Sequence, residues 1–190
     1  MTMNLTLLLR YPLPAPFTAC CAAALLLLHP QTARSSDNAQ NLVINGDMEM
    51  PGGWEPANVG GPTKPELVEI SGADKHEGNN SLHIVLERRQ PDEYPQVTSG
   101  VFPTEDGRYY KISFWYKVLQ GVFSANMRTG ADNDYVQLTK KPLTETDGWE
   151  LFEGEYQEKA GGPNARFTIT GATDGVCEMY LDDVSVQPLE

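Results

Sequence analysis

Two adjacent carboxylates, Asp182 and Asp183, stand inside an apolar, β-branched run, Glu178-Met179-Tyr180-Leu181-Asp182-Asp183-Val184-Ser185-Val186. Strand alternation sends Tyr180, Asp182, Val184 and Val186 to one face and Leu181, Asp183 and Ser185 to the other, so one aspartate is expected to face the core. A carboxylate on an apolar face is costly unless it is hydrogen-bonded, paired with a cation or bound to a metal. The run therefore requires a partner elsewhere in the chain. Because neighbouring strand residues point apart, the two aspartates are not expected to converge on one bond as a catalytic pair.

Other chemistry-bearing residues form no catalytic constellation. His76 and His83 stand seven residues apart with no further ligand set around them, and no serine occupies a Gly-x-Ser-x-Gly setting. Glu150, Glu153 and Glu155 supply carboxylate pairs, and glycoside hydrolysis needs two carboxyls about 5–9 Å apart across the bond. Glu153 and Glu155, however, alternate outward on a surface strand, and so acidic a chain produces such pairs by chance. No catalytic residues are assigned and the chain is not read as an enzyme; a cryptic glycan-processing enzyme is the third-ranked function.

The chain has 190 residues, 40% of them hydrophobic, which suffices for one domain with a sizeable core. Its formal net charge of -12 argues against a nucleic-acid or anionic-membrane partner, since no basic surface is available to neutralise phosphates. Residues 1–33 differ from the rest: Arg10 is their one charge, and Leu5–Leu9 and Cys20–Leu28 are apolar. They read as a secretory signal peptide, with an uncleaved N-terminal anchor as the alternative. Pro12, Pro14 and Pro16 and an apolar run short of about 18 residues argue against a membrane span, so no transmembrane domain is expected after processing. Cys20 as a lipidation site is a weaker reading, because most of the apolar run follows it. The expected location is secreted, periplasmic or at the cell surface. Loss of Cys20 and Cys21 leaves Cys177 without a disulfide partner, as a small buried hydrophobe.

Residues 34–40 are small and polar, a flexible leader, and the module occupies residues 41–190. There, short alternating runs are separated by Gly, Pro, Asn and Asp clusters, the pattern of an all-β sandwich of two antiparallel sheets. Strands are expected at Leu42–Ile44, Glu66–Ile70, Ser81–Leu86, Gln96–Phe102, Tyr109–Leu119, Val122–Arg128, Tyr135–Leu138, Trp149–Tyr156, Ala165–Thr170 and Met179–Val186. Tyr110, Ile112, Phe114, Tyr116 and Val118 form one apolar row, which leaves Trp115 on a polar row with Lys111, Ser113 and Lys117. In the following strand Phe123, Ala125 and Met127 face inward and Ser124, Asn126 and Arg128 outward. Trp115, Asn126 and Arg128 are thus expected to share one polar, aromatic-dotted sheet face.

Five motifs occur in order: Asn41-Leu42-Val43-Ile44-Asn45-Gly46-Asp47-Met48-Glu49 with Trp54, Gly78-Asn79-Asn80-Ser81-Leu82-His83-Ile84, Tyr109–Lys117, Gly148-Trp149 and Tyr180–Val186. Together the set resembles the family 4 and 9 carbohydrate-binding modules and their family 22 relatives, across residues 41–187. Met48 departs from the pattern, standing where an aromatic is usual, and the module makes up most of the chain without an attached glycoside hydrolase.

The resemblance implies a jelly-roll β-sandwich of the galactose-binding-like class, non-catalytic, often carrying a structural Ca2+. It places that calcium where the first and last strands meet, on Glu49, Asp182 and carbonyls near Asp47 and Lys75. It places ligand on a sheet-face cleft or on rim loops. Sugars offer C–H patches to aromatic rings and hydroxyls to planar polar groups. The candidate contact set is Tyr94, which the resemblance favours as a stacking ring, with Gln96, Trp115, Asn126, Arg128 and Tyr135, and Gln137 beside it. The expected partner is a polysaccharide or oligosaccharide. The runner-up function is a structural or adhesive cell-surface module that binds protein with the same fold. Trp54 and Trp149 are read as packing.

Overall fold

The computed structural model describes residues 40–59, 67–129 and 134–190. The expected signal peptide, the leader up to residue 39, and residues 60–66 and 130–133 lie outside the described residues. Every regular element among the described residues is a β-strand. They are β1 (Trp54–Val59), β2 (Leu67–Ser71), β3 (Ser81–Arg88), β4 (Tyr94–Ser99), β5 (Phe102–Thr104), β6 (Tyr109–Gln120), β7 (Val122–Arg128), β8 (Tyr135–Gln137), β9 (Leu143–Thr144), β10 (Glu150–Gln157), β11 (Gly162–Gly171) and β12 (Gly175–Pro188).

The strands form two antiparallel sheets, as the turn spacing predicts. One runs β1-β4-β11-β7-β8, with β5 beside β11 and β9 beside β7; the other runs β10-β6-β12-β3-β2. Alternating apolar residues from the two inner faces make the core. Ile112, Phe114 and Val118 of β6, Leu82, Ile84 and Leu86 of β3, and Met179 and Leu181 of β12 meet Val97, Phe123, Ala125, Met127, Phe167 and Ile169 of the other sheet, all buried. Phe114 sets its ring edge-to-face against Phe167 at 5.3 Å and stacks on Phe152 at 4.7 Å. Each such ring taken from water contributes about 1.5–3 kcal/mol, so this aromatic contact between sheets is a principal tie.

Four expectations change. Leu42–Ile44 is not a regular strand: Asn45 and Met48 take positive φ (54° and 57°), and the segment instead follows β12 through isolated bonds, Leu42 N–H to Val186 O and Val184 N–H to Gly46 O. The Asn41 side chain adds to this by accepting from Val186 N–H at 3.0 Å and donating to Val184 O at 2.9 Å. The expected strand Gln96–Phe102 is two strands, β4 and β5, interrupted at Gly100. β1 went unrecognised because Pro56 and Asn58 interrupt its alternation; as an edge strand paired only with β4 it tolerates the proline.

The fourth change matters most for function. β6 and β7, expected side by side, belong to different sheets. A single residue joins them, Gly121, at φ +81°, and a Cβ there would lie 2.8 Å from Cys177 Sγ. Glycine thus supplies both the left-handed turn and the space that let the chain cross from one sheet to the other. Gly121→Ala is expected to destabilise the protein by about 2 kcal/mol or more, from positive-φ strain plus the collision with Cys177. Denaturant unfolding checks this; a variant as stable as the wild type would remove Gly121 from that role.

Candidate functional site

Outward-facing residues of β4, β11, β7 and β8 form a grid. Gln96 stands opposite Thr170, which stands opposite Ser124; Thr98, Thr168, Asn126 and Gln137 form a second row; Arg166, Arg128 and Tyr135 form a third. Over this grid lies a cleft of about 470 Å3 lined by Tyr94, Gln96, Ser124, Asn126, Tyr135, Gln137 and Thr170. That volume falls in the range of small-molecule sites, about 300–1,000 Å3.

The cleft has a prearranged polar floor and two half-exposed rings. Tyr94 and Tyr135 are 44% and 42% exposed, and each ring carries an arginine: the Arg88 guanidinium carbon lies 5.1 Å from the Tyr94 centroid, and that of Arg128 lies 4.7 Å from the Tyr135 centroid. Gln96 Oε1 accepts from the Tyr135 hydroxyl at 2.8 Å and from Arg128 Nη2 at 3.1 Å, and Arg128 Nη2 also bonds the Tyr135 hydroxyl. This leaves the Gln96 amide nitrogen as a donor. The Asn126 amide nitrogen is shared among Ser124 O, Ser124 Oγ and Thr170 Oγ1, which leaves its oxygen as an acceptor. Gln137 donates to Thr139 O and likewise retains its oxygen. Before Tyr94, the buried Glu93 carboxylate accepts from the Arg89 and Gln90 amides and shapes the turn that delivers the ring. The sheet thus brings together Tyr94, Gln96, Asn126, Arg128 and Tyr135 of the candidate set.

Trp115 is placed elsewhere. It lies on β6, opposite Leu151 and Asp182, on the outer face of the five-stranded sheet, and its ring is stacked by His76 at 3.7 Å. It is therefore covered, and it is not on the cleft that holds Asn126 and Arg128. Alternation showed correctly that Trp115 points outward but not from which sheet. Trp149 joins the same cluster: His76 packs edge-on against it at 5.9 Å, and its Nε1 donates to Asp74 Oδ1 at 3.1 Å. Lys117 Nζ pairs with Asp74 Oδ2 at 2.6 Å. Burial works against the Asp74 charge, yet the bonds from Lys117 and Trp149 hold its carboxyl below the usual range. Trp54 is buried, donates to Asn45 O at 3.1 Å and packs edge-on against Phe167.

The two aspartates of β12 meet the loop before β3. Asp182, 1% exposed, accepts from the His76 amide at 3.0 Å, the Glu77 amide at 3.4 Å and the Asp183 amide at 2.9 Å. Burial pushes its carboxyl above the usual range and the Asp183 charge adds to the rise, while those amides oppose it. Asp183, at φ +49°, sits in a bulge of β12 that puts Leu181, Val184 and Val186 all on the core side and leaves Tyr180 stacked on His83. Because of that bulge the two carboxylates do not diverge as strict alternation predicts: Asp183 Oδ2 reaches His76 Nδ1 at 3.2 Å, beside the amide that Asp182 holds.

The residues expected around calcium are arranged as follows. Glu49 Oε1 accepts from the amides of Asn79 at 2.7 Å and Asn80 at 3.0 Å, and Oε2 accepts from the Asn79 side chain at 3.1 Å. These bonds, Asn79 first, hold the Glu49 carboxyl below its usual range. Asp47 Oδ1 faces the Glu49 amide at 3.5 Å, and Lys75 Nζ donates to Asn79 O at 3.4 Å. Calcium takes about six to eight oxygens. Among the described residues no group of three or more His, Cys, Asp or Glu side chains comes together to hold a metal. Backbone amides of the loop before β3 face both carboxylates, those of Asn79 and Asn80 toward Glu49 and those of His76 and Glu77 toward Asp182.

Sequence reasoning did not single out Ser124, Thr168, Thr170 or Arg88. Ser124 and both threonines follow the same outward alternation as Asn126, so the floor was traceable; the seat of Arg88 on Tyr94 depends on a turn that has no periodic signature.

No protein-family model matches the sequence, and no curated protein matches it. Solved structures do share the fold. A family 16 carbohydrate-binding module superposes with a TM-score of 0.55 at 18% identity, covering 79% of this chain and 100% of that one. The CBM22-1 xylan-binding domain of Paenibacillus barcinonensis Xyn10C gives 0.54 at 15% identity, covering 76% and 92%. The enzymatically active domain of tailspike protein 4 of bacteriophage CBA120 gives 0.56 at 17% identity; the match covers 78% of this chain but 21% of that one. The fold is thus the jelly-roll sandwich of carbohydrate-binding modules, as the ordered motifs implied.

Asp182→Ala, which leaves three amides without their acceptor, is expected to cost about 3 kcal/mol in denaturant unfolding. A loss below about 0.5 kcal/mol would show that the His76–Glu77 turn does not depend on that carboxylate.

Proposed function

We propose that this chain is a secreted, non-catalytic module that binds polysaccharide in the cleft between Tyr94 and Tyr135. The observation that carries the reading is the cleft itself: two half-exposed rings flank amides whose inner valences are satisfied and whose outer ones, the Gln96 donor and the Asn126 and Gln137 acceptors, remain available. Rings take the C–H faces of a sugar, and fixed amides take its hydroxyls without having to be ordered on binding. The sandwich fold shared with carbohydrate-binding modules supports the same reading. The non-catalytic part is supported by the cleft lining, which among the described residues contains no carboxyl, histidine or cysteine. Glu153 stands on the edge strand β10, paired with Lys111 at 2.9 Å, and Glu150 accepts from the Tyr116 hydroxyl. Among the described residues no helix is long and apolar enough to cross a membrane.

Tyr94→Ala is expected to weaken retention on the cognate polysaccharide about tenfold, the size of one aromatic contact, while leaving the melting midpoint unchanged. Affinity electrophoresis across soluble glycans checks this, with reducing-sugar release as the parallel test of catalysis. A stable variant that binds like the wild type would remove Tyr94 from the site, and sugar release would overturn the non-catalytic reading.

Calcium at Glu49 and Asp182, with carbonyls near Asp47 and Lys75, is a separate proposal that rests on the resemblance. Glu49 Oε2 and Asp182 Oδ1 each accept a single hydrogen bond and keep a lone pair for a cation. A chelator is expected to lower the melting midpoint by several degrees, reversed by added calcium; an unchanged midpoint would remove the ion.

A further inference from the structure

Arg128 stands apart from the other described arginines. Arg88, Arg89, Arg108 and Arg166 each have a carboxylate within ion-pair reach: Asp174 at 3.6 Å, Glu87 at 2.5 Å, Glu105 at 2.6 Å and Glu55 at 3.9 Å. Among the described residues no carboxylate pairs with Arg128. This holds in a chain with 26 acidic residues against 14 lysines and arginines, and each of the other described arginines has a carboxylate within reach. The group is also partly withdrawn from water: its Nε is buried with no acceptor, and its Nη2 is spent on Gln96 and Tyr135. No acceptor for Nη1 is present among the described residues. A guanidinium placed so pays desolvation without an anion to offset it.

The side chain is held, and held at the cleft. Tyr135 beneath its carbon and Gln96 Oε1 at its nitrogen both line the cleft, and no lining residue is acidic. A planar guanidinium fixed on two sides, with Nε buried and Nη2 spent, leaves Nη1 as its donor to a carboxylate oxygen in a charge-assisted bond. We infer that Arg128 is the anion-reading position of this cleft, and that the preferred ligand is a neutral polysaccharide backbone bearing sparse uronic acid branches. The inference rests on the cleft being the polysaccharide site.

The restriction to sparse acidic groups follows from the net charge of -12. A polyuronate carries many charges within a Debye length, about 8–10 Å, of this acidic surface and is repelled, whereas a single carboxylate meets one local cation. The neutral backbone lies on the tyrosines and amides, and the branch reaches Arg128.

The test is a glycan array on the whole chain that pairs neutral β-linked backbones with the same backbones carrying single glucuronate branches, and adds polygalacturonate and sulfated glycans. Calorimetry on the best pair then compares wild type with Arg128→Gln and Arg128→Lys. The branched member is expected to bind about tenfold tighter than its neutral partner, the size of one charge-assisted hydrogen-bonded pair, with the ratio shrinking as salt rises. Arg128→Gln lowers affinity for both members and brings the ratio to about one; Arg128→Lys keeps part of it. Equal binding of neutral and branched members by wild type overturns this inference and leaves the cleft reading intact, as does a preference that survives Arg128→Gln. Strongest binding to polygalacturonate or to sulfated glycans also overturns it. Binding to no glycan removes the cleft reading and this inference together. The wild-type ratio and its salt dependence decide the matter even if a variant does not fold.

Discussion

The carboxylate of Asp182, buried on the central strand of the five-stranded sheet and bonded to three backbone amides, ties the end of the chain to the loop before β3. β12 lies between β6 and β3 and cannot move without disturbing both. The bulge at Asp183 lets Leu181 and Val184, three residues apart, both enter the core, which an unbroken strand forbids. Glu49 grips the same loop through the Asn79 and Asn80 amides, so the first and last parts of the fold meet on one short segment. His76 then lies over Trp115 and closes the outer face of that sheet.

The division of labour between the sheets follows. On the outer face of the five-stranded sheet several aromatic and charged residues are paired: His76 on Trp115, Lys117 with Asp74, His83 with Glu178. The outer face of the other sheet carries hydroxyls and amides whose bonds to one another leave valences open, and two rings with free surface. A covered aromatic cluster rigidifies a loop; a half-exposed pair flanking fixed amides is arranged for a ligand. Gly121 separates the two faces by moving the chain between sheets within one residue.

The reading of the sequence placed Tyr94, Gln96, Asn126, Arg128 and Tyr135 in one candidate set, and the structure brings four of them to the lining of one cleft, with Arg128 held against Gln96 and Tyr135. Trp115 was grouped with them on the assumption that consecutive outward rows share a sheet. Its separation illustrates the limit of periodicity, which is a one-strand property: it tells inward from outward but carries no information about which strands pair. That no carboxylate among the described residues pairs with Arg128 was likewise invisible, since it depends on where carboxylates from distant segments come to rest.

What the sequence by itself determined was the class of the fold: short alternating runs, turn residues between them, and five ordered motifs sufficed for an all-β sandwich, because burial of apolar rows and turn geometry are local demands written residue by residue. Only the tertiary structure decided which rows became the cleft, which aromatic was covered and where the β12 alternation slipped. Those outcomes depend on pairing across the chain, on one glycine crossing between sheets, and on amides of the loop before β3 finding the carboxylates of Glu49 and Asp182. Long-range hydrogen bonding settles them, and no local pattern encodes it.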